Sequence, residues 1–91
     1  DFKLEQNYPN PFNPSTQIDY YLSESGVVRL VVLNLQGREI IRLSDESQAT
    51  GYHSVSWDGK NSQGQTVSGG MYFCRLEVPG KRLTNKMLLL K

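Results

Sequence analysis

Residues 51–76 read GYHSVSWDGKNSQGQTVSGGMYFCRL, and this block decides the fold. Two runs of alternating apolar residues, Tyr52 to Trp57 and Met71 to Leu76, flank a segment rich in turn formers. Strand side chains alternate between faces, so His53, Val55 and Trp57 share one face of the first run. Tyr72, Cys74 and Leu76 share one face of the second. The segment between them holds Asp58-Gly59, Asn61, Gly64 and Gly69-Gly70. The pattern predicts a strand, a long polar turn and a second strand. The single Trp closes the first run and is the largest apolar body available to anchor a small core. The aromatic faces of the two strands are expected to meet inside a sandwich.

Working outward, Thr16, Ile18, Tyr20 and Leu22 alternate with Gln17, Asp19 and Tyr21, a half-buried strand. Ser23 to Gly26 is a turn. Val27 to Leu35 is the most β-branched run. It sets Val28, Leu30 and Val32 on one face and Arg29, Val31 and Leu33 on the other. Asn34-Leu35-Gln36-Gly37 turns the chain back, with Gly37 at a positive φ, and Glu39 to Leu43 pairs as the returning strand. Residues 44–51 are polar and are expected to form a loop with Asp45 and Glu46 in solvent. Pro79-Gly80 marks a turn before the last strand, which runs to Leu90. Its end, Met87-Leu88-Leu89-Leu90, is apolar on both faces, so it is either buried between sheets or half-covered by the N-terminal residues. About seven short strands with turns roughly every 8–12 residues indicate an all-β, immunoglobulin-like antiparallel β-sandwich. The expected core is Val28, Leu30, Val32, Val55, Trp57, Tyr72 and Leu76.

The 91 residues make one domain, 1–91. Residues 1–15, DFKLEQNYPNPFNPS, form a Pro/Asn-rich arm that prolines keep extended or turning, and residues 16–91 form the sandwich. Phe2, Leu4, Tyr8 and Phe12 are expected to pack the arm onto it, although the composition also suits a semi-rigid spacer. The net charge of +1 excludes an overall field for nucleic acid or anionic membrane. The charge is uneven: residues 1–59 have a net of −4 and residues 60–91 a net of +5. No apolar run nears the ~20 residues that cross a bilayer as a helix, so direct membrane insertion is not expected. The chain starts at Asp1 with no basic-then-apolar leader and is expected to be a piece of a longer parent.

No motif sets catalytic or metal-binding residues together. The one histidine, His53, falls on the Trp57 face and reads as a packed imidazole with a backbone partner. Cys74 cannot form an internal disulfide and reads as a buried, inert thiol. Zinc spacings are absent. The loop from Asp58 to Gly64 has Lys60 where a calcium loop needs an oxygen ligand, so Asp58 and Asn61 read as turn stabilisers. No helix follows Gly64, Gly69 and Gly70 to make a phosphate cradle. Tyr21, Tyr52 and Phe73 should point away from the Trp57 face, where aromatics bind a glycan or pack on a neighbouring strand. The reading is therefore a non-enzyme without cofactor or metal.

Four blocks carry a resemblance: NYPNPFNPST at 7–16, NLQGRE at 34–39, GYHSVSWDGKNSQGQTVSGGMYF at 51–73 and TNKM at 84–87. In order and spacing they are similar to the type A C-terminal sorting domain of the type IX secretion system, from about Leu4 to Lys91. The third block also resembles the Ig-like domain of flagellar hook-capping proteins. Cys74 stands where the sorting domains usually have an aromatic. The resemblance implies an address that carries a larger exported protein through the periplasm to the cell surface or medium. The implied partners are an upstream cargo domain in the same chain, an outer-membrane translocon and a sortase-like protease.

The residues themselves suggest how such an address is read. Lys81, Arg82, Lys86 and Lys91 gather on the terminal strand, where a partner could add a strand to its edge while the cations steer it. Two other readings remain open at this point. One is an accessory glycan-binding or spacer sandwich of an extracellular enzyme or adhesin. The other is the Ig-like module of a hook-capping protein.

Overall fold

The computed structural model describes residues 1–90. It is all β among those residues: β1 (Lys3–Leu4), β2 (Thr16–Leu22), β3 (Gly26–Leu33), β4 (Glu39–Gln48), β5 (Gly51–Trp57), β6 (Gly70–Val78) and β7 (Lys81–Leu89). They form two antiparallel sheets, β1-β2-β5 and β4-β3-β6-β7, packed face to face as an Ig-like sandwich.

Each sheet turns its apolar period inward. Ile18, Tyr20 and Leu22 of β2 meet Val28, Leu30 and Val32 of β3 and Tyr72, Cys74 and Leu76 of β6 in one core, closed by Met87 and Leu89. Burying such side chains contributes roughly 1.5–3 kcal/mol each relative to exposure. Trp57, only 1% exposed, lies between two rings. Phe12 tilts against it at 5.6 Å and Tyr72 of the opposite sheet meets it edge-on at 5.3 Å. Its indole N–H donates to the carbonyl of Lys60 at 2.9 Å, so the polar end of the ring is satisfied. Val55 lies at the half-buried margin of this core, one pleat from Trp57.

The polar stretch 44–48 is not a loop. It extends β4 to Gln48, pairing Ser44 to Gln48 with Leu30 to Gly26. This corrects the sequence expectation, and the reason is positional. β4 is the sheet's edge, and its outward residues face water, so polarity there does not oppose strand geometry. Asp45 is accordingly an ion-pair partner of Arg42 and Arg29. Gln48 accepts the hydroxyl of buried Tyr20 at 2.6 Å. Two register shifts, between Leu30 and Val31 and between Val32 and Leu33, bend β4 over the core. They leave Ile40, Ile41 and Leu43 all partly buried against it.

The arm is built into the sandwich. β1 pairs with β2 through Lys3–Tyr21 and Leu4–Tyr20. Tyr8 and Gln17 exchange both backbone bonds at 2.9 Å. Buried Asn7 donates to Thr16 Oγ1 at 2.9 Å and to the Pro9 carbonyl, while the Thr16 hydroxyl donates to that same carbonyl at 2.8 Å. Asn7 and Thr16 thus satisfy the Pro9 carbonyl between them.

Candidate functional site

The distinctive sequence blocks, far apart in the chain, converge at one end of the sandwich. The arm brings Phe12 onto Trp57 and also onto β7, where Phe12 N–H donates to the Leu88 carbonyl at 3.0 Å and Leu90 N–H donates to the Phe12 carbonyl at 2.8 Å. After Trp57 the chain turns through Gly59 at φ 74°. A Cβ there would stand 3.2 Å from the Pro14 carbonyl oxygen and 3.6 Å from Leu89. Glycine is needed at Gly59 for both its conformation and its contact. Arm, WDG turn and terminal strand therefore fit only against one another.

Two loops at this end are copies of one design. Asn34-Leu35-Gln36-Gly37 and Asn61-Ser62-Gln63-Gly64 share the pattern N-x-Q-G. In the first, Asn34 Oδ1 accepts the N–H groups of Gln36 and Arg38 at 3.0 and 2.9 Å. In the second, Asn61 Oδ1 accepts those of Gln63 and Gln65, both at 3.0 Å. Each closes with the glycine N–H on the asparagine carbonyl, and Gly37 and Gly64 have φ 82° and 80°. Asn61 is a turn stabiliser by this geometry. Among the described residues no group of three or more His, Cys, Asp or Glu is placed to hold a metal ion.

The basic residues lie on β7. Lys81, Arg82 and Lys86 are exposed, and Lys91 lies outside the described residues. Arg82 stands opposite Glu77, Thr84 opposite Arg75, Lys86 opposite Phe73 and Leu88 opposite Met71. On the same outer face the arginines and acids of β3, β4 and β6 form a linked lattice running Glu39–Arg42–Asp45–Arg29–Glu77–Arg75, with N–O distances of 2.8–3.8 Å. The Arg42 hydrogen bond holds the Asp45 carboxyl below the ordinary carboxylate range. Hydrogen bonds to Glu39 and Asp45 in turn raise the Arg42 guanidinium. Among the described residues Lys81, Arg82 and Lys86 take no part in an ion pair, although Arg82 lies across from Glu77, so β7 presents exposed cations beside a lattice of paired charges.

The edge of β7 is not open along its length. Asn10 Oδ1 accepts Leu88 N–H at 3.0 Å, and Gln6 Nε2 donates to the Lys86 carbonyl at 2.7 Å. Asn85 Nδ2 donates to the carbonyls of Leu4 and Glu5, both at 3.1 Å. With the two Phe12 bonds, the arm occupies the edge from Lys86 to Leu90. The strand addition expected from sequence therefore has room only at Arg82–Thr84, while the side chains of Lys81, Arg82 and Lys86 stay exposed. The sequence announces none of the contacts that Gln6, Asn10 and Asn85 make between arm and β7. Nothing in the sequence separates Asn10 from Asn7 and Asn13, because the partners of Gln6, Asn10 and Asn85 lie some 80 positions away.

His53 is half-buried and stacks on Tyr20 at 5.3 Å, with Nε2 2.8 Å from the Ala49 carbonyl oxygen. Cys74 is 2% exposed, and burial pushes its thiol up to about 12. Burial also raises the phenol of Tyr72, whose hydroxyl donates to the Ser68 carbonyl at 2.6 Å. Tyr21 and Tyr52 pack against each other on the outer face of the three-stranded sheet, centroids 4.9 Å apart and planes at 52°. Their rings share no plane on which a sugar could lie. Phe73 is on the other sheet's outer face, half-buried.

A family described as the FlgD Ig-like domain matches residues 13–79. Among solved structures, the chain is similar to dimeric latent PorU of Porphyromonas gingivalis, at TM-score 0.71 and 17% identity, over 99% of this chain and 9% of that one. It is similar to PorZ of the same organism, a surface component of the type IX secretion system, at TM-score 0.64 and 19% identity, over 94% of this chain and 11% of that one. It is also similar to FlgD of P. aeruginosa, at TM-score 0.58 and 26% identity, over 82% of this chain and 60% of that one. The chain thus spans only a small part of PorU and PorZ and less than two thirds of FlgD. No curated protein matches the sequence.

Proposed function

This chain belongs to the FlgD Ig-like domain family, and from that membership we propose that it is a recognition module with no catalysis of its own, serving as the sorting signal of a larger protein exported by the type IX secretion system. One observation carries the reading. The Pro/Asn arm, the WDG turn and the terminal strand, the blocks on which the resemblance rests, lock into a single end of the molecule and leave the β7 cations unpaired. The likeness in fold to PorU and PorZ supports it. An address attached to different cargoes must carry its own legible surface. A rigid sandwich with a fixed cationic strand is such a surface, because preorganised groups lose little freedom on binding. In this reading the cargo precedes Asp1, the translocon reads β7, a sortase-like protease acts on the junction, and the module passes from periplasm to cell surface or medium.

The test is a fluorescent reporter fused upstream of residues 1–91 in hosts with and without the type IX machinery. The reading expects surface or medium signal only where the machinery is present, and equal signal in both rejects it. A second reading, an Ig-like module of a hook-capping assembly protein, is favoured by the family match and the likeness to FlgD of P. aeruginosa. It expects the chain to associate with flagellar hook components, which a pull-down with isolated hooks decides.

A further inference from the structure

The described sheets have four edges, and three are guarded. β1 is two residues long. β7 is covered by the arm from Lys86 to Leu90. β4 carries Glu39, Arg42, Asp45 and Glu46, and its Ile40 carbonyl already accepts Ser62 N–H at 3.2 Å. Charges and covers of this kind are how natural sheets avoid unwanted pairing.

β5 has neither device. Gly51–Trp57 is seven residues without Lys, Arg, Asp, Glu or Pro. Its free edge follows from β2. Gln17 bonds Tyr8 in both directions and the Asp19 carbonyl accepts Glu5 N–H, so the odd residues of β2 aim their main chain at the arm. The even residues, Thr16 to Leu22, then bond to Trp57, Val55, His53 and Gly51. Tyr52, Ser54 and Ser56 are left with N–H and C=O directed outward, and no backbone bond from another described segment reaches them. All three are exposed.

We propose that β5 is a self-association edge, on which a second copy of this chain adds its own β5 antiparallel across a two-fold axis through Ser54. The absence of charge on β5 suits a second copy. A strand that meets its own image sets each residue against its like, and like charges opposite one another destabilise. On β4 that arrangement confronts acids with acids. On β5 it sets Ser54 against Ser54 and Tyr52 against Ser56, while His53 faces Val55 on the inner side. Both three-stranded sheets then join into one of six strands, with about two hydrogen bonds for each of the three facing outward pairs. This surface is on the sheet opposite β7, so dimerisation leaves the β7 cations accessible.

Sedimentation velocity on the 91-residue chain across the micromolar to millimolar range tests it, alongside amide exchange. The expected result is a concentration-dependent dimer, with protection at Tyr52, Ser54 and Ser56 rising with concentration. Ser54→Lys, which opposes two ammonium groups at the axis, should weaken the dimer by about tenfold or more. Ser54→Thr should retain it. Ser56→Pro, which removes an outward N–H from both Tyr52–Ser56 pairs and leaves the inward bonds to β2 in place, serves as the second variant if Ser54→Lys fails to fold, since Ser54 also bonds Asp19. A chain that stays monomeric throughout, or a dimer that a folded Ser54→Lys or Ser56→Pro variant leaves intact, overturns the proposal.

Discussion

At the scale of single residues, Trp57 and Gly59 show two kinds of information in a sequence. The role of Trp57 was legible, because a lone indole at the end of an alternating run has one sensible destination. The need for Gly59 was legible only in part. A DG pair announces a turn, but its close approach to the Pro14 carbonyl depends on how the arm docks. Gly59→Ala is expected to cost about 1–3 kcal/mol, from the positive φ and the displaced arm, as a lower urea midpoint with an unchanged slope. Gly64→Ala has the strained φ without the contact and should cost less. Cys74 makes a second case. Its buried neutral thiol should not react with a disulfide reagent at pH 8 until the domain opens, so labelling should follow the global unfolding rate. Ionising this thiol in the unfolded chain favours unfolding as pH rises above its ordinary value of 9.0, so stability should fall from there towards pH 12.

At the scale of elements, strands with one wet and one dry face were read correctly because alternation encodes burial directly. The far half of β4 was not. Ser44 to Gln48 pair with β3 while Asp45, Glu46 and Ser47 stay exposed on the sheet's edge, and a polar strand there is indistinguishable from a polar loop until its neighbour is known. The arm's clamp on β7 was illegible for a related reason. Its aromatics signalled packing, but its clamp on β7 is made by Gln6, Asn10 and the Phe12 backbone, across most of the chain's length. Asn10→Ala should raise the exchange rate of the Leu88 amide while leaving the β2–β5 amides unchanged, since it frees one edge bond and touches no core residue. Phe12→Ala should cost about 3–5 kcal/mol, because it removes a buried ring between Trp57 and β7. Equal exchange at Leu88 in wild type and Asn10→Ala would show that the clamp does not hold the strand.

At the scale of the whole molecule, the −4 and +5 halves of the sequence are interleaved by the fold. Basic Arg75 of the second half joins acids and arginines of the first in one surface lattice, and the net excess is left on β7. Charge asymmetry was readable from sequence; which cations stay unpaired was not, because cross-sheet pairing decides it. Exposed pairs contribute little individually, so the lattice is expected to tune surface charge more than stability. Asp19 and Asp45 both have carboxyls held below the ordinary value of 3.8, Asp19 chiefly by its Ser54 hydrogen bond and Asp45 chiefly by Arg42. A lowered folded value means that their contribution is present above about pH 4 and is lost as pH falls through the folded values. Urea midpoints measured from pH 6 to pH 2 should decline below pH 4, and Asp19→Asn should flatten part of that decline.

We propose above all that the exposed cations of β7 are what an export machinery reads. The direct measurement is the exported fraction of a reporter fused ahead of residues 1–91, comparing the native chain with a variant carrying Lys81→Glu, Arg82→Glu and Lys86→Glu. These side chains are exposed, so each change should alter stability by no more than about 0.5 kcal/mol, which thermal unfolding of the purified fusion verifies. The account predicts a folded variant whose reporter stays inside the cell envelope while the native fusion reaches the surface or medium. A folded variant exported as well as the native chain contradicts it.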